Sequence, residues 1–125
     1  MDFVPFELAL KLKEKGFNVP FYFYYRTDDK SLHHVNITNP LVYCDKIDDE
    51  VVIAPTISQV LKWLREKYST HISTKPYPCE DGIMWLYEIR KFNKYKSVVV
   101  ANKTGFIKEE QANIAGIKCV LDNLI

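Results

Sequence analysis

The segment that most constrains this chain lies at its middle. Ala54-Pro55-Thr56-Ile57-Ser58-Gln59-Val60-Leu61-Lys62-Trp63-Leu64-Arg65-Glu66-Lys67-Tyr68 combines a start signal with apolar residues at helical spacing. Proline is tolerated at the entry to a helix, and Thr56 or Ser58 can cap the exposed amides of its first turn. On a helical wheel Ile57, Val60, Leu61, Leu64 and Tyr68 fall on one stripe, which is predicted to face a core. A stripe of that kind needs a second layer to bury it, so the flanking segments must supply one. Trp63 falls about 120° from the centre of the stripe, with Gln59 and Lys67 one turn away on either side. A tryptophan there either packs beneath a neighbouring segment or stands partly exposed as an interface anchor.

The flanking segments read mainly as strands. A first helix is predicted over Pro5 to Lys15, where Phe6, Leu8, Ala9, Leu10 and Leu12 share a broad apolar arc and Gly16 supplies the stop. Phe21-Tyr22-Phe23-Tyr24-Tyr25 follows Pro20, and a run of rings packs well on a pleated surface. Phe21, Phe23 and Tyr25 would share one face, leaving Tyr22 and Tyr24 on the other. Thr27 to Ser31 is a turn, Leu32 to Ile37 a returning strand, and Leu41 to Cys44 a short third one. Asp45 to Glu50 is an acidic loop, and Val51-Val52-Ile53 leads into the central helix. Beyond that helix, Ser69 to Cys79 is a strand ended by Pro76 and Pro78. Ile83 to Arg90 and Ser97 to Ala101 follow as further strands. A last helix is predicted from about Ile107 to Leu124, with Ile114, Ile117, Leu121 and Leu124 on one face. Strands arriving in hairpin groups predict one α+β domain over residues 1–125. It would hold an antiparallel sheet of about five to six strands and three helices in the order α-β-β(-β)-α-β-β-β-α.

Composition narrows the function classes. A chain of 125 residues can bury a core without staples, and 47% hydrophobic residues exclude a disordered chain. The formal net charge of +1 gives no long-range attraction for nucleic acid or an anionic membrane, so binding of either must come from a local patch. Met1-Asp2 and an early Glu7 do not read as a secretory signal, and no apolar run approaches the roughly 20 residues of a bilayer span. Cys44, Cys79 and Cys119 are odd in number and widely spaced, which predicts reduced thiols in a cytoplasm rather than a disulfide framework.

Motifs for chemistry are sparse. His33-His34 with Cys44 and Asp45 includes zinc-ligand types, yet adjacent strand residues point to opposite faces. His71 has no ligand-spaced neighbour. Glu109-Glu110 suits the first turn of a helix, where negative charge complements the dipole. With four glycines there is no phosphate-cradling loop and no G-x-S-x-G elbow. No cofactor or metal is expected. The one basic run, Arg90-Lys91-Phe92-Asn93-Lys94-Tyr95-Lys96, interleaves cations with rings. Its cations could neutralise phosphates while Phe92 or Tyr95 stacks on a base. Lysines at a hairpin tip also serve simply to keep it soluble and to blunt edge pairing.

The Phe6-Glu7-x-Ala9-x-x-Leu12-Lys13-Glu14-x-Gly16-Phe17 opening resembles small proteins encoded in prophages and mobile elements of gut Bacteroidetes. So does Ala54-Pro55-Thr56-x-x-Gln59-Val60-x-x-Trp63-Leu64-Arg65-Glu66-Lys67-Tyr68. Glu109-Glu110-Gln111-Ala112 stands where those proteins open their last helix. The resemblance implies a family and carries no activity with it. The expected function is that of a non-enzymatic accessory protein that binds another protein or itself, with Gln59, Trp63, Lys67, Tyr22 and Tyr24 as its surface. The alternative is a nucleic-acid-binding module using Arg90, Lys91, Phe92, Lys94, Tyr95 and Lys96.

Overall fold

A computed structural model of the protein describes residues 2–34 and 51–125. The expected strand at Leu41 to Cys44, the acidic loop and the Cys44-Asp45 pair lie outside the described residues. The chain is α+β, and it packs as two compact units, residues 1–56 and 57–125.

The first unit holds helix α1 (Phe6–Glu14) and strands β1 (Phe23–Arg26), β2 (Leu32–His34) and β3 (Val51–Ile53). Helix α1 stops at Gly16, whose φ of 84° is the left-handed conformation that glycine adopts without penalty. The Phe17 amide then turns back to the Leu12 carbonyl at 2.9 Å, which closes the helix end. Strand β1 is central, with antiparallel partners β2 and β3 on its two sides. Leu8, Ala9 and Leu12 of the helix are buried, as are Phe17, Phe21, Val52 and Ile53. The ends of the unit are tied together, since the Val4 amide donates to the Pro55 carbonyl at 3.0 Å. The Val4 carbonyl accepts the Tyr25 hydroxyl at 2.6 Å.

The second unit opens with helix α2 (Ile57–Tyr68), continues as strands β4 (Thr70–Cys79), β5 (Gly82–Phe92) and β6 (Ser97–Phe106), and closes with helix α3 (Glu109–Cys119). The last helix widens into a π turn over Val120–Leu124. The strands form an antiparallel meander in the order β4-β5-β6. Helix α3 lies across all three, and α2 packs on β4 and α3. Ile57, Val60 and Leu64 of the predicted stripe are buried, with Leu61 and Tyr68 half-buried at its margins. On α3 the buried face is Ala112, Gly116, Ile117, Val120 and Leu121. It is therefore rotated from the predicted face toward Gly116, leaving Ile114 and Leu124 half-buried. The rotation follows from packing. A Cβ at Gly116 would stand 2.9 Å from Ile72 Cγ2, so glycine allows α3 its closest approach to the sheet.

Three expectations change. The strands do not join one sheet of five to six; they form two sheets of three. Strands β1–β3 are three or four residues long, and β1 already has a partner on each side. Strands β4–β6 are ten or eleven residues long and satisfy one another through local turns. Strand β4 ends at Cys79, as expected, but Pro76 and Pro78 do not end it; they lie inside its pairing with β5, opposite Trp85 and Ile83. Strand β4 is at the sheet edge, where a missing amide donor interrupts no second ladder. Strand β6 runs past Ala101 to Phe106, carried by two irregularities in its register with β5. No helix among the described residues is long and apolar enough to cross a membrane.

Candidate functional site

The basic run lies at the β5–β6 end of the second unit. Strand β5 ends at Phe92, and Asn93 organises the turn. Its amide donates to the Lys96 carbonyl at 2.9 Å, and its side-chain Oδ1 accepts the amides of Tyr95 at 3.2 Å and Lys96 at 3.0 Å. This Asx-type turn lifts Tyr95 into solvent, where it is 85% exposed with Lys94 Nζ 5.5 Å from its ring centroid. Phe92 is 46% exposed. Val98, Val99 and Val100 of the edge strand β6 are exposed as well, with Val99 on the face of Arg90 and Val98 on the face of Lys91.

Arg90 differs from its neighbours. Its Nε donates to Glu88 Oε1 at 2.7 Å and its Nη1 to Ser97 Oγ at 3.2 Å. Glu88 also faces Lys75 Nζ at 3.9 Å. The hydrogen bond from Arg90 holds the Glu88 carboxyl below the usual carboxylate range, partial burial opposing it. Arg90 is thus neutralised within the sheet. Among the described residues Lys91, Lys94 and Lys96 make no ion pair.

A cleft that the sequence did not reveal opens beside this hairpin. It is lined by Arg65, Ser69, Thr70, His71 and Phe92, with a volume of about 300 Å³. Its geometry comes from the α2–β4 junction. Ser69 follows the last residue of α2 with φ at 50°, a left-handed conformation that non-glycine residues rarely take. There it turns the chain from helix to strand in a single residue. Its carbonyl accepts the Phe92 amide at 2.9 Å, joining the end of β5 to the end of α2. The register pairs Thr70 with Lys91 and His71 with Arg90, so His71, Arg90 and Phe92 share one face of the sheet. The rings of His71 and Phe92 meet edge to face, with centroids 6.0 Å apart and planes at 85°. Arg65, exposed on the last turn of α2, brings a guanidinium to the rim. Among the described residues it makes no ion pair.

Trp63 is half-buried. It packs edge-on against Tyr68 at 5.2 Å, and Lys67 Nζ lies 5.4 Å from the Trp63 ring and 5.5 Å from the Tyr68 ring. Gln59 is half-buried one turn before it. The two tyrosines of the first unit part company. Tyr22 is 54% exposed, whereas Tyr24 is half-buried and stacks on His33 at 5.4 Å. His33 and His34 lie opposite Tyr24 and Phe23 in the β1–β2 register, and each ring packs on its opposite neighbour. Among the described residues no group of three or more metal-ligating side chains converges.

The formal charge divides unevenly between the units. Residues 57–125 carry eleven Lys and Arg against seven Asp and Glu, a net of +4, and residues 1–56 carry six against nine, a net of −3. Within the second unit Glu80 and Asp81 occupy the β4–β5 turn, and Lys91, Lys94 and Lys96 the opposite end of the same strands. No protein-family model, curated protein or solved structure matches the chain.

Proposed function

We propose that the protein is a non-enzymatic accessory protein acting in the cytoplasm, and that its second unit binds nucleic acid through the β5–β6 hairpin. One observation carries this reading: lysines that make no ion pair among the described residues, two exposed rings and a ring-lined cleft occupy one end of a sheet whose unit has a net charge of +4. Phosphates are attracted by the cations, and unpaired bases offer flat faces to Phe92 and Tyr95. The reading is tested by fluorescence anisotropy with labelled single-stranded oligonucleotides. The expected result is salt-sensitive binding that weakens with Lys94→Glu, and a failure of any such polymer to bind at low salt removes it.

A second reading rests on a different observation, the Trp63–Tyr68 pair with Lys67 across both rings. Aromatic anchors beside a cation are typical centres of protein interfaces. Here the partner is another protein or a second copy, and Trp63→Ser abolishes the association while leaving oligonucleotide binding intact. The resemblance of the Phe6–Phe17 and Ala54–Tyr68 blocks to prophage and mobile-element proteins supports such an origin for the gene. Phage, recombination or defence genes beside it would support that placement, and a housekeeping neighbourhood would remove it.

A further inference from the structure

We infer that the cleft between α2 and the β5 terminus is a subsite for one unpaired base and its adjoining phosphate. This inference rests on the nucleic-acid reading and deepens it by naming Arg65, Ser69 and His71, which lie outside the basic run.

Three features of the cleft fit that occupant. Its walls are rings at right angles, so a flat heterocycle entering it can stack on the exposed face of Phe92 while its edge meets His71. Its volume of about 300 Å³ lies at the low end of small-ligand sites, suited to a single base rather than a whole oligonucleotide segment. Its rim is cationic, with Arg65 supplying a planar fork of donors that matches two phosphate oxygens. Ser69 is exposed and lines the cleft, and a serine hydroxyl can donate to or accept from a base edge. The Ser69 backbone is fixed by the bond its carbonyl accepts from Phe92, so α2 and β5 hold their contributions in a set relation.

Duplex is a poor ligand for such a cleft, because its bases are stacked and paired and would have to be extruded. Flanking phosphates of a single strand would instead run along Lys94 and Lys96 at the hairpin tip, with Lys91 reaching them from the opposite face of β5. Charge complementarity therefore selects the polyanion, and the crossed rings select strands with accessible bases.

The test compares a short oligothymidylate with an abasic oligomer of equal length and charge, each labelled, on the full chain. The expected result is about tenfold tighter binding of the oligothymidylate, the scale of one base stacked on an aromatic side chain. Phe92→Leu should cut that preference to what stacking on Tyr95 alone supplies and leave the abasic affinity unchanged. Arg65→Gln should weaken both polymers and lower the salt dependence by about 0.7 in the log–log slope. Equal binding of the two polymers to the wild-type chain overturns the subsite while leaving the nucleic-acid reading in place. So does an equal loss for both on Phe92→Leu. Binding of neither polymer at low salt overturns the nucleic-acid reading and the subsite together.

Discussion

At the scale of single residues, Gly116 and Glu88 show opposite kinds of constraint. Alanine is ordinarily better than glycine inside a helix by about 1 kcal/mol. At position 116 the added methyl would meet Ile72 Cγ2 at 2.9 Å and Tyr87 Cγ at 3.4 Å. Both neighbours are buried, at 5% and 6% exposure, so neither can swing away into solvent. Overpacking should outweigh the helical preference, and Gly116→Ala is expected to destabilise the protein by about 1–2 kcal/mol. A denaturant titration would show a lower midpoint at unchanged slope. A raised midpoint would mean that α3 can ride up off the sheet. Adding Ile72→Val should not relieve the clash, because valine keeps the Cγ2 that the new methyl meets, whereas Ile72→Ala removes it and should make the two substitutions cost less together than their sum. Glu88 is constrained by charge instead. Its carboxyl is depressed chiefly by the Arg90 hydrogen bond, so it contributes stability above the ordinary carboxylate range. That contribution is lost as pH falls through the depressed value. Glu88→Gln should therefore flatten the acid limb of the stability–pH profile, measured by thermal unfolding across the acidic range.

At the scale of elements, the same carboxylate governs how much charge the hairpin presents. With glutamine in place of Glu88, Arg90 keeps an acceptor oxygen but loses the negative charge 2.7 Å away that neutralises it within the sheet. Glu88→Gln is then expected to tighten oligonucleotide binding and to steepen its salt dependence by about 0.7, one further phosphate contact. Unchanged affinity would place Arg90 outside the contact surface. Helix α2 was readable from sequence because a 3.6-residue period and a start signal are both local, and Ile57, Val60 and Leu64 are buried as that period requires. Leu64→Ala, at a fully buried position, is expected to cost about 2–5 kcal/mol in an unfolding titration. Sheet membership was not readable. Alternation identifies an extended segment and its two faces, but which strand lies beside it depends on pairing at a distance. Pro76 and Pro78 misled for the same reason, since only the pairing reveals β4 as an edge. Within the site, Phe92 was visible in the basic run because its cations adjoin it in sequence. Arg65 and His71 were not, since they reach Phe92 only through the left-handed turn at Ser69 and the antiparallel register of β4 with β5.

At the scale of the whole molecule, a total charge of +1 conceals a separation, +4 on residues 57–125 against −3 on residues 1–56. A nearly neutral chain is poorly steered over long distances, since its far field is small and salt screens what remains beyond about 8–10 Å. Close to the β5–β6 end the balance is different, because Arg65, Lys91, Lys94 and Lys96 make no ion pairs there among the described residues. Each phosphate neutralised on a single strand releases counterions worth about 0.7 in the slope of log affinity against log salt. Four such contacts give an expected slope of about −3, measurable by anisotropy titrations at a series of salt concentrations. Charge reversal by Lys94→Glu with Lys96→Glu removes two of them and should bring the slope to about −1.4. Lys13→Glu with Lys15→Glu shifts the total charge by the same amount but alters only the first unit, and should leave the slope near −3. If both pairs flatten the slope equally, net charge rather than the hairpin governs association. If neither does, phosphate contacts lie elsewhere than at this end of the sheet.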